Sequence, residues 1–125
     1  MEKEENKIPC IRIGYGGESY LVPLNLLEKV QAGPVIIPVP DAPEHVSGIS
    51  IYQGEVIPYL NLTGDRRADR EMRCGILIRS EGGDIIGVAA DEVGELTEAA
   101  HEELEAQADR VKNGYGGSSS DQAFR

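Results

Sequence analysis

Tryptophan is absent from this 125-residue chain, and aromatic residues together make up only 5% of it. A platform that stacks bases or sugars needs several flat rings side by side, so the composition argues against one. Basic residues are also short. Twelve Lys and Arg stand against 22 Asp and Glu, for a net charge of −10. That field repels phosphate backbones and anionic headgroups, which sets aside nucleic acid and direct membrane insertion. A basic protein surface is the better electrostatic match. No apolar run approaches the roughly 20 residues of a membrane-spanning helix. Cysteine occurs twice, at Cys10 and Cys74, in no metal-ligand spacing. Residues 1–7 form a charged tail with no apolar stretch behind it, so the expectation is a cytoplasmic protein with free thiols.

What the chain does have is β signal. Residues 46–52 and 55–62 are β-prone runs flanking Gln53-Gly54, the pattern of a tight hairpin in which glycine supplies positive φ. Pro58 cannot donate to a ladder, so an edge or a bulge is expected there. Upstream, residues 8–13 and 19–23 read as strands around Gly14-Tyr15-Gly16-Gly17. Pro23 then opens a helix-like segment with Leu24, Leu27 and Val30 at three-residue spacing, stopped by Gly33-Pro34. Residues 35–39 suggest a short strand, and Pro38, Pro40 and Pro43 stiffen the connector that follows.

Downstream, residues 63–72 are a polar loop. A further hairpin, 73–79 and 85–90, turns at Glu81-Gly82-Gly83-Asp84. Thr97 is a candidate N-cap for a helix over about 98–111, with Leu96, Ala100, Leu104, Ala108 and Val111 as its stripe and Asn113-Gly114 as its stop. The Gly/Ser-rich residues 114–125 should be mobile. The reading is a single all-β domain over 8–113, with one or two short helices.

Sliding the sequence on itself by 66 positions superposes the two Gly-Gly hairpins. Tyr20 falls on Ile86, Val22 on Val88, Leu27 on Val93 and Val30 on Leu96. Two similar units are implied. The first would close with residues 35–62, whose counterparts would begin at 101, where the acidic helix is expected. The second unit is therefore expected to be incomplete. Its edge is covered by the helix, or paired with another chain in a homo-oligomer, or left open by truncation.

Catalytic chemistry is hard to find. His45 and His101 have no nucleophile or carboxylate at a motif-like spacing, and no Lys-Ser/Thr follows the first glycine turn to make a phosphate loop. Asp91, Glu92 and Glu95 lack the glycine-turned oxygen loop of a calcium site. No enzyme, cofactor or metal is expected.

The constellation of residues 11–22, Leu27/Val30, Ile37-Pro38-Val39-Pro40, Ala42-Pro43, Gly48-Ile49, Gly54, Val56-Ile57-Pro58 and Leu60-Asn61-Leu62 resembles the CheW-like adaptor domain of bacterial chemotaxis. The later hairpin, with Ile86-Gly87-Val88 and residues 91–96, fits the same pattern. The resemblance implies two five-stranded barrels around a shared core, here with the second incomplete. It also implies a non-catalytic scaffold that couples a chemoreceptor signalling tip to the regulatory domain of a CheA-type histidine kinase. Its partner-binding positions would be Leu27, Lys29, Val30, Ile51, Tyr52, Gln53, Gly54 and Val56. The family usually carries Arg where this chain has Gln53, so the bidentate cation is missing there. The competing class is a small-molecule-binding domain on a small barrel scaffold.

Overall fold

The computed structural model describes residues 7–62, 73–80 and 82–114. Residues 63–72, where a polar loop is expected, and Glu81 lie outside those residues, as do the tails expected over 1–7 and 114–125 except for Lys7, which opens the first strand, and Gly114, which ends the helix. Among the described residues, eight strands and one α-helix follow in order: β1 Lys7–Tyr15, β2 Glu18–Pro23, β3 Leu27–Ala32, β4 Val46–Tyr52, β5 Glu55–Leu60, β6 Cys74–Arg79, β7 Ile85–Ala90, β8 Glu92–Ala100 and α1 His101–Gly114. They form two sheets, three-stranded β2-β1-β8 and five-stranded β3-β6-β7-β5-β4.

The two halves exchange their third strands. β3 leaves the β1–β2 hairpin and pairs with β6, while β8 leaves the β6–β7 hairpin and pairs with β1. Asp91 fastens this crossing: its amide donates to the Gly14 carbonyl, and its carboxylate accepts from the Gly16 amide at 2.8 Å. Strands at the centre of such an exchange are covered on both faces. In β6, Ile76 enters one core with Ile13, Tyr15, Tyr20 and Val22, while its neighbour Leu77 enters a second with Ile36, Ile57 and Tyr59. Ala90 and Ala89 of β7 divide the same way. Burial on both faces is why these strands read as unbroken apolar runs rather than alternating ones.

Tyr59 is the centre of the five-stranded half. Fully buried, it pairs with Gly87 across the parallel β5–β7 contact, and its hydroxyl donates to Gln31 Oε1 on β3 at 2.9 Å. Parallel pairing to β7 involves only Tyr59 and Leu60, after Pro58, which keeps the missing donor off that ladder. The sheet curls on itself. Its first strand meets its last where Lys29 Nζ lies 5.9 Å from the Tyr52 ring, and Ile37 exchanges backbone hydrogen bonds with Ile49 on the free side of β4.

Burial pushes the Tyr59 phenol up to about 12. The folded state thus holds this proton more tightly than the unfolded chain, whose tyrosine titrates near 10. Stability from this group is complete below pH ~10 and falls as pH rises towards ~12. Urea unfolding followed from pH 9 to 11.5 should show that decline, and Tyr59→Phe should flatten it. Equal slopes in the two proteins would assign the decline to another group.

Five expectations need correction. The central hairpin joins the later Gly-Gly hairpin, through β5 beside β7, so the unit left short of strands is the one that carries β1 and β2 and not the second. The helix-like reading from Pro23 holds only for a single 3-10 turn, Leu24–Leu26; Leu27 and Val30 then enter β3, because pairing with β6 outweighs a three-residue apolar spacing. Thr97 is not an N-cap. Residues 97–100 pair with Cys10 back to Lys7 of β1, so the helix begins at His101 and Leu96 lies in a strand. The true start is marked by Glu103, whose carboxylate accepts from the Ala100 amide at 2.9 Å, as in half of a capping box. Residues 35–39 form one backbone bridge, at Ile37, rather than a strand. The second arm of the central hairpin also stops at Leu60, two residues short of the expected end.

Candidate interaction surface

The turn between β4 and β5 projects from the five-stranded half. Gln53 and Gly54 both have positive φ, 52 and 82, which makes a two-residue turn whose twist matches the paired strands. Glycine adopts this conformation freely, whereas a β-branched side chain clashes with its own backbone there. Gly54→Val should therefore cost about 2 kcal/mol. Gln53→Arg, an exposed change at a residue already left-handed, should shift stability by less than ~0.5 kcal/mol. Chemical denaturation of the two variants distinguishes the positions, and comparable costs would contradict the turn geometry.

Behind the turn, Ile51 and Val56 face one another across the hairpin, 55% and 62% exposed. A directly opposed apolar pair left in water is unusual enough to mark a surface. The stripe continues beyond the hairpin. Val35, Ile37 and Val39 are exposed while Ile36 is buried, and Val35, Ile37 and Ile51 line one shallow groove. On the other side of the turn, Tyr52, Gln53, Val56, Arg79, Asp84 and Ile85 line a groove of about 560 Å³. Arg79 is held there by Glu28 Oε1, at 2.9 and 3.1 Å, and by the Gly83 carbonyl at 3.0 Å.

The structure brings together most of the positions chosen from sequence. Ile51, Tyr52, Gln53, Gly54 and Val56 share the hairpin tip, and Lys29 joins them through the Tyr52 ring. Val30 is exposed on the adjoining strand at the sheet's other edge. Leu27 departs from the set, since it packs against the Ile13–Tyr20 core instead of facing solvent. Sequence reasoning missed Arg79 and the outward set Val35, Ile37 and Val39. Residues 35–37 are all apolar in sequence, so nothing local separated exposed Val35 and Ile37 from buried Ile36. Nothing local marked Arg79.

Other chemistry is sparse among the described residues. No group of three or more His, Cys, Asp or Glu is gathered to hold a metal ion. His101 lies against Glu105 one helical turn on, at 3.0 Å, with both side chains exposed. Cys10 is buried and Cys74 half-buried, both as free thiols. Burial, aided by the Glu103 carboxylate, pushes the Cys10 thiol up and away from reactivity. Among the described residues, no helix is long and apolar enough to cross a membrane.

No curated protein sequence matches the chain. Among solved structures, the scaffolding protein TtCheW from Thermoanaerobacter tengcongensis has a similar fold, with a TM-score of 0.61 and 20% identity. The match covers 76% of this chain and 67% of that one. The sequence profile of the CheW-like domain matches residues 9–120, from the first strand through the helix. The chain belongs to the CheW-like domain family.

Proposed function

We propose that this protein is a non-catalytic scaffold that couples a chemoreceptor signalling tip to a CheA-type histidine kinase regulatory domain. The observation that carries the reading is the exposed apolar surface of the hairpin. Ile51 and Val56 stand opposed at its tip, continuous with Val35 and Ile37, on a fold of the CheW-like family. A helical receptor tip would lay its apolar face along that stripe, as amphipathic helices do in grooves. Lys29, Val30, Tyr52, Gln53 and Gly54 would form the polar and backbone rim, and Leu27 would support β3 from beneath. Arg79 supplies a guanidinium in the adjoining groove while Gln53 contributes only an amide at the turn. The kinase's barrel would take a second face through strand-edge contacts.

Co-purification tests this reading against the small-molecule alternative. The scaffold should retain a receptor signalling fragment and a kinase regulatory domain, each with a Kd of tens of micromolar or tighter. A metabolite that raises the melting temperature, with neither protein retained, would replace the scaffold by a ligand-binding domain.

A further inference from the structure

Among the described residues the three-stranded sheet ends on β2, whose counterpart in the internal repeat is β7. A displacement of 66 positions lays Leu21 of β2 on Gly87 of β7. In the five-stranded half, Gly87 is where β5 joins in parallel, opposite Tyr59. In the three-stranded half, no strand lies beyond β2 among the described residues. The outward backbone groups of Leu21 go instead to one side chain of α1. The Leu21 amide donates to Gln107 Oε1 at 2.7 Å, and Gln107 Nε2 donates to the Leu21 carbonyl at 2.9 Å.

A carboxamide carries the donor and acceptor of a peptide group, so Gln107 satisfies Leu21 as a neighbouring strand would. Arg110 adds to the cap. It donates to the Ser19 carbonyl at 3.3 Å, and its guanidinium lies 5.1 Å from the Tyr20 ring centroid. Ser19, Leu21 and Pro23 are the outward positions of this edge by strand alternation, and Pro23 has no amide to satisfy. The edge is closed by a helix rather than by a strand.

The hold is slight. Over residues 101–111 none is fully buried, and only Leu104, Gln107 and Val111 are half-buried. An element with so little buried surface belongs to the low-stability end of a fold, where local opening is cheapest. We propose that α1 is a displaceable cap on a strand-docking site, competing in cis with an extended segment of another protein. That segment would add along β2 in parallel, as β5 does along β7. It would carry alternating apolar residues and a basic flank, since the chain's net charge is −10. A second copy is the poorer occupant, because it brings the same negative field and places Pro23 against the ladder.

The test uses the full chain and its Gln107→Ala variant, with a synthetic peptide of residues 55–62 preceded by two lysines as the strand probe. Losing two hydrogen bonds should speed exchange of the Leu21 amide on the order of tenfold and tighten peptide binding by a similar factor. Amide shifts on binding should centre on Leu21, with Gly87 unmoved. Unchanged exchange at Leu21 overturns the proposal, as does equal affinity in the two proteins. So does a concentration-dependent dimer of the variant in sedimentation with no peptide complex.

Discussion

Gly87→Ala is expected to destabilise the protein by about 3 kcal/mol, lowering the melting temperature by roughly 10 °C. The added methyl would lie 2.5 to 2.7 Å from three atoms of the Tyr59 ring, far inside contact distance. The ring has nowhere to go. It is fully buried, and its hydroxyl reaches past Gly75, where a methyl would strike the same phenol, to Gln31. Two glycines on neighbouring strands thus form a bed for one tyrosine, and the five-stranded half is assembled across that contact. A double-mutant cycle isolates it. Tyr59→Ala alone should cost about 4 kcal/mol, but in that background the methyl at position 87 should enter the vacated space at little further cost. Additive losses would show that the obstacle at Gly87 is not the tyrosine.

The second large effect concerns binding rather than folding. Ile51→Glu together with Val56→Glu should weaken receptor-tip binding at least a hundredfold, because each buries a carboxylate where an apolar anchor is expected. Both side chains are more than half exposed, so the cost to folding should stay within about 1 kcal/mol, set by the lower strand preference of glutamate. Binding isotherms paired with unfolding curves separate the two effects. A variant that folds and binds as the parent does would remove the hairpin from the interface.

The central hairpin was legible in the sequence because its determinants are local. A two-residue turn with glycine second, flanked by β-prone runs, has few other solutions; Gly54 takes the expected positive φ, and Gln53 joins it there. The repeat was legible for the same reason, as two glycine turns at equal distance from similar runs. β3 was not, since its residues are extended only because β6 lies beside them, more than 40 positions away in sequence. The helix start was displaced for a like reason: β1 reaches back to Lys7 and draws residues 97–100 into its ladder. Gln107 is the clearest case of what local reading misses. In sequence it is one polar residue on an acidic helix, and its role exists only through a contact spanning 86 positions.

The scaffold reading is tested most directly by titrating the isotopically labelled chain with an isolated receptor signalling tip and, separately, with a kinase regulatory domain. The account predicts saturable binding of both, with the receptor tip shifting amides at Val35, Ile37 and residues 51–56. Absence of binding at tens of micromolar, or receptor-induced shifts confined to the three-stranded half, would contradict it.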